Sequence, residues 1–263
     1  MLLLMLSGLS PALARPPTVA EVEVALARFS EGAVYTLAPL DAAQLDALVS
    51  GEVVRLIDQP GGEGAVRRAT ALMVTDVPRR QMWLACQDPH FQGDPTVHEL
   101  RLSRTGPDDA LWYGFADLPA PLDDRHWVVR SWNNHALAEA SGGSAWEHPW
   151  EIASVGPSDV AEQVTGGMLP AVTTERFAEA LSTPVNSGAF LALDLPGGGS
   201  IFGYHATFDP GGAIPDWLIA RLAHAGLERG FRRYEARARD VIPTHYLGGH
   251  APVYGGDGVP VAP

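Results

Sequence analysis

Residues 208–219 read Phe208-Asp209-Pro210-Gly211-Gly212-Ala213-Ile214-Pro215-Asp216-Trp217-Leu218-Ile219, the exit from a strand followed by the start of a helix. Pro210 interrupts a strand ladder, and Gly211-Gly212 permit backbone angles that other residues resist. Pro215 suits a first helical turn, where its missing N–H is no loss, and Asp216 suits the positive end of the helix dipole. The pattern predicts a helix of about seven turns ending near Asp240. Ile219, Leu222, Ala223, Gly226, Leu227, Gly230, Phe231 and Tyr234 form one stripe; Glu228/Arg232 and Glu235/Arg239 are expected i,i+4 pairs on the opposite face. Gly226 and Gly230 flatten the stripe, as close helix-on-sheet packing or a shallow groove for a ligand would require.

The 263 residues suffice for a substantial core, and 46% hydrophobic with 19% charged residues is an ordinary globular mix. A net charge of −13, with every basic residue an Arg, argues against nucleic acid as a partner. Cys86 is the lone cysteine, which rules out an intramolecular disulfide and a cysteine metal cluster; it reads as a small buried hydrophobe. The histidines form no HExxH pair and no metal set is expected. Phosphate-loop, dinucleotide and nucleophile-elbow patterns are absent too, so no cofactor is expected.

Residues 1–14 are uncharged and Leu-rich, ending Ala12-Leu13-Ala14. They resemble a secretory signal cut after Ala14, too short to span a bilayer. Export to the periplasm or medium follows, or a cytoplasmic location if the run is instead an apolar helix docked on the domain. Residues 15–51 carry two short capped helices, Thr18–Phe29 and Asp41–Val49. Strands are expected at Val53–Asp58, Ala65–Asp76, Thr96–Thr105, Leu111–Leu118, Arg125–Glu139, Ala145–Ser154, Ala189–Leu195 and Ser200–Phe208. Arg79–Gln87 and Thr173–Leu181 read as helices, the second an insertion or a cavity cover. Residues 244–263, rich in Gly and Pro, read as a flexible tail.

Two motifs carry a family resemblance. Asp209–Leu218 is similar to the signature that opens the C-terminal helix of START lipid-transfer domains. Upstream, Pro119-Ala120-Pro121-Leu122-Asp123-Asp124-Arg125-His126-Trp127-Val128-Val129-Arg130 resembles their proline-rich turn, strand start and following Arg, with His126 replacing the usual acidic residue. The resemblance spans about Glu52 to Asp240 and implies an α+β helix-grip fold over 52–243. In that fold a curved antiparallel sheet wraps a long C-terminal helix around an internal hydrophobic cavity.

The resemblance further implies one hydrophobic ligand, such as a sterol or phospholipid, with transient membrane contact, a monomer, and no covalent chemistry. Arg130 would reach the cavity and bind a polar head, with Glu99 or Glu139 as partner; projection into solvent is the rival reading. Trp112, Trp132, Phe202 and Tyr204 are candidate lining residues. Gly211 and Gly212 are the expected hinge, and Ile214, Trp217 and Leu218 the lip that touches membrane. Gly212→Pro is expected to slow loading while leaving the fold intact. The alternatives are a cyclase or aromatase on the same superfold, marked by a carboxylate or His pair facing the cavity with perturbed pKa values, and a ligand-sensing module without transfer activity.

Overall fold

The computed structural model describes residues 15–63, 65–88, 95–104, 106, 109–212, 227–242 and 252–261. The signal-like run 1–14, the lip residues Ile214, Trp217 and Leu218, and the helix start at Pro215 lie outside the described residues. Two helices come first, α1 (Val19–Ser30) and α2 (Ala42–Val49). Each opens on a capping box: Thr18 and Glu21 exchange side-chain-to-backbone bonds, as do Asp41 and Gln44.

The strands are β1 (Val54–Asp58), β2 (Arg68–Thr75), β3 (Val97–Arg104), β4 (Ala110–Ala116), β5 (Arg125–Ser131), β6 (Ala145–Ile152), β7 (Leu181–Ser182), β8 (Val185–Asp194) and β9 (Ser200–Asp209). They make a nine-stranded sheet in the order β1-β2-β9-β8-β6-β5-β4-β3, antiparallel except that β7 pairs parallel with β5. The remaining helices are α3 (Arg79–Gln87), α4 (His135–Ala140), α5 (Ala161–Gln163), α6 (Thr174–Glu179) and α7 (227–242), the described part of the C-terminal helix, which ends in a π segment at Arg237–Val241. The architecture is the expected curved sheet gripping a C-terminal helix.

Both faces of the sheet are covered, and this decides where side chains go. On the outer face α1 and α2 bury Val22, Phe29, Leu45 and Leu48 against Leu72, Leu191, Leu193 and Ile201 of the central strands. Farther along, residues 157–180 bury Val160, Val164, Leu169 and Val172 against Tyr113, Phe115 and Val128. The helix read as a possible cavity cover therefore closes the outer face of β3–β5. On the inner face α3 and α7 pack Met82, Trp83, Phe231 and Ala238 on Ala71, Met73, Trp146, Ala192 and Phe202.

Two expectations are overturned. The long strand Arg125–Glu139 stops at Ser131, because Asn134 accepts from Leu137 N and caps α4, whose Leu137 and Ala138 are buried. The flexible tail is also wrong for residues 252–261. Val253 and Val261 are buried, Tyr254 bridges to Pro260, and Trp83 Nε1 donates to Tyr254 O at 2.9 Å. Gly255 and Gly256 lie flat on the Trp146 indole, where an added Cβ would come within 2.7 Å and 2.6 Å of the ring.

Candidate functional site

Side chains alternate along each strand, so pairing sorts them by face. Trp150 on β6 stacks on Tyr204, with ring centroids 5.4 Å apart, and lies 5.7 Å from Phe190. Phe190 and Phe202 contact Tyr234 of α7 at 5.7 and 5.8 Å, and Phe202 contacts Phe231 at 5.2 Å. This aromatic wall is the inner face. Across the β5–β6 ladder Trp150 is opposite Ser131 and Ile152 opposite Val129, and Val129 is opposite Trp112 of β4. Trp112, Trp127, Val129 and Ser131 are therefore inner, as are Glu99 and Arg101, which oppose Gly114 and Trp112. Gly114 is required here, since an added Cβ would stand 2.3 Å from the Trp127 indole.

Of the expected lining residues, Trp112, Phe202 and Tyr204 meet this wall. Phe202 is fully buried within it, while Trp112 and Tyr204 keep accessible surface. Arg130 and Trp132 do not join them. Arg130 opposes Leu111 and Glu151 on the outer face. Its half-exposed guanidinium pairs with Asp109 at 2.6 Å and lies 5.3 Å from the Trp132 ring. Asp109, not Glu99 or Glu139, is the partner, and the bond holds the Arg130 pKa above its ordinary value. The expectation fails because both faces of β5 are apolar-covered, so alternation shows which residues share a face but not which face is inside.

Between the inner face and α7, Cys86, Phe190, Tyr204 and Tyr234 are only partly buried against the core. His148 also keeps accessible surface, and Glu99 is exposed. Burial raises the Glu99 carboxyl, the Cys86 thiol and the Tyr234 phenol above their ordinary pKa values, and lowers His148 to about 4. Glu99 makes no hydrogen bond or ion pair among the described residues. The sequence offered one signal for it, the alternation of Glu99 and Arg101 against Leu100 and Leu102. The leucines point into the outer cluster under residues 157–180, leaving the polar set on the inner face.

At the strand exit, Gly211 and Gly212 have φ of +68° and +71°, a region that only Gly enters cheaply. Arg125, 2% exposed, anchors this turn: Nε donates to Pro210 O at 2.6 Å and Nη2 to Gly211 O at 3.1 Å. Its Nη1 donates to Asp123 O at 2.6 Å, tying the proline-rich turn to the same point. Proline needs φ near −65°, so Gly212→Pro would break this turn and cannot leave the fold intact. Among the described residues no group of three or more His, Cys, Asp and Glu could hold a metal, and no helix is long and apolar enough to cross a membrane.

No protein-family model matches the chain, and no curated protein matches it in sequence. Solved structures do match. Human StAR-related lipid transfer protein 5 aligns over 84% of this chain and 93% of its own, with a TM-score of 0.53 and 10% identity. Human STARD10 aligns over 88% and 98%, with a TM-score of 0.52 and 13% identity. A STAR-related lipid transfer protein from Xanthomonas axonopodis aligns over 72% and 99%, with a TM-score of 0.51 and 18% identity. The likeness is one of fold: like these structures, the chain wraps a curved antiparallel sheet around a C-terminal helix.

Proposed function

We propose that this protein encloses one hydrophobic molecule, a sterol, phospholipid or similar lipid, between its sheet and C-terminal helix and carries it through water. The observation that supports this reading is the aromatic inner face of Trp150, Phe190, Tyr204 and Tyr234, with Trp112 on the same side of the sheet, which the C-terminal helix leaves only partly buried. Burying about 400 Å² of apolar ligand surface at about 25 cal/mol/Å² yields about 10 kcal/mol, enough for micromolar to nanomolar binding after association costs. The reading includes export, a monomer, and membrane contact through Ile214, Trp217 and Leu218. Native mass spectrometry of the purified protein, followed by lipid extraction, tests it: one ligand mass per chain is expected. A protein that is ligand-free and takes up nothing from vesicles sinks the reading. Movement of lipid between vesicles separates a carrier from a sensor that binds and holds.

A second reading, a cyclase-like enzyme, draws support from Glu99 and His148, which lie on the inner face with displaced pKa values. Turnover of a bound polyketone that Glu99→Gln abolishes, with binding retained, would favour it over the carrier. Binding without turnover would remove it.

A further inference from the structure

His148 is tied to a second part of the molecule. Its Nδ1 lies 2.7 Å from Asn133 Oδ1, which also accepts from Gln87 Nε2 at 3.3 Å. The amide of Asn133 cannot be turned over. Its Nδ2 donates to Tyr254 O at 3.0 Å and to Gly255 O at 3.1 Å in the docked C-terminal segment. An oxygen in that place would face two carbonyls. Asn133 therefore presents an acceptor to His148, Nδ1 must carry the proton, and the neutral ring leaves Nε2 a bare acceptor. His148 shares the inner face of β6 with Trp146 and Trp150 and opposes Phe190. Its Nε2 has no partner among the described residues and is not closed off by packing.

Glu99 is the second group on the inner face without a hydrogen-bond or ion-pair partner among the described residues. Glu99 and Arg101 share that face, so a charged ligand end of either sign would be set against a like charge. A ligand with nothing polar would leave Nε2 desolvated and unbonded, which is unfavourable. A neutral hydrogen-bond donor meets neither penalty. We propose that His148 Nε2, its tautomer locked by Asn133, recognises the polar end of the ligand, and that this end is a hydroxyl on an otherwise apolar molecule. The proposal rests on the enclosed-ligand reading and narrows its substrate class. Arg101 lies on the same face 5.7 Å from the Trp112 ring, and it would not distinguish an alcohol from its ether by accepting a proton, because a guanidinium only donates.

The test uses 1-hexadecanol, its methyl ether, hexadecanoic acid and hexadecylamine as competitors of the neutral fluorophore N-phenyl-1-naphthylamine on the full-length protein. The alcohol is expected to displace the fluorophore at about a ten-fold lower concentration than the ether, the acid or the amine. His148→Phe is expected to bring the alcohol to the level of the ether while leaving the ether where it was. In case the variant folds poorly, two-bond proton–nitrogen spectra of the wild type give an independent reading. They should show His148 protonated at Nδ1 and bare at Nε2, with the Nε2 resonance moving on addition of the alcohol and not of the ether. Equal displacement by alcohol and ether, tightest binding by the acid or amine, or a proton on Nε2 in the free protein would each overturn the proposal. If the fluorophore itself finds no site and none of the four binds, the enclosed-ligand reading fails first, and the two failures remain distinguishable.

Discussion

Arg125 and Arg130 stand on one short strand and end on opposite sides of it. Arg125 goes inward to bond the carbonyls of Asp123, Pro210 and Gly211, and Arg130 outward to Asp109. Arg125→Met should leave those carbonyls without a donor and cost about 2–5 kcal/mol in denaturant unfolding, with faster amide exchange around Gly211. Arg130→Met removes only a half-exposed ion pair and should cost less than about 1 kcal/mol. Buried histidines predict acid lability. Burial, with Arg68 nearby, pushes His205 down to about 3, so it stays neutral in the fold while the unfolded chain gains a proton below its ordinary pKa. Its stabilisation is complete above about pH 6.5 and is lost as pH falls toward 3, at up to about 1.4 kcal/mol per unit. His148 acts in the same direction as far as about pH 4. Glu99 and Glu147, raised by burial, act in the opposite direction: their protonated forms favour the fold at low pH, and that contribution fades as pH rises through their folded values. Relative to wild type, His205→Phe should reduce the stability lost between pH 6.5 and 5 by about 2 kcal/mol, as read by denaturation at both pH values.

The C-terminal helix shows what holds an element once its stripe has been read. Leu227, Phe231 and Tyr234 face the core as the spacing predicts, joined by Ala238 and Ile242. Of the expected i,i+4 pairs, Glu235–Arg239 forms at 2.9 Å, whereas Glu228 pairs with Arg55 of β1 at 3.3 Å. Arg232 turns to Glu235 and to Gly51 O. Glu235 also accepts from Thr75 Oγ1 at 2.7 Å, Arg237 pairs with Asp88, and Arg239 with Asp76. The polar face of the helix is thus anchored to β1, β2, the turn after β2 and the end of α3. These partners are distant in sequence, and helical periodicity carries no information about them. Removing residues 252–263 should strip the Tyr254 and Gly255 carbonyls from Trp83 and Asn133 and uncover the pocket of Val253 and Val261. A loss of about 3 kcal/mol by thermal or denaturant unfolding is expected.

At the scale of the whole molecule, the sheet has three covers, and the proposed ligand site lies under the one formed by α3 and α7. Cys86 is partly buried there, so on that proposal Cys86→Phe should block ligand uptake while destabilising the protein by no more than about 1–3 kcal/mol; titration with a fluorescent lipid measures the first effect and urea unfolding the second. The longer elements, their order and the antiparallel sheet were legible in the sequence, because amphipathic period, caps and turn glycines are local signals; the short α4, α5 and β7 were not. The Gly211-Gly212 exit was legible for the same reason: positive φ selects glycine wherever the chain goes next. Three matters waited for the tertiary structure. The inward side of β5 depended on which cover met which face, and two apolar covers look alike along a strand. The ordered Gly-rich tail depended on the Trp146 ring and Asn133, far away in the chain, since a glycine run has no periodicity of its own. Glu99 and His148 became candidate site residues only through the strand pairing that turns them to the inner face and through the lack of a partner at Glu99 and at His148 Nε2, properties of the surroundings of a side chain rather than of its neighbours in sequence.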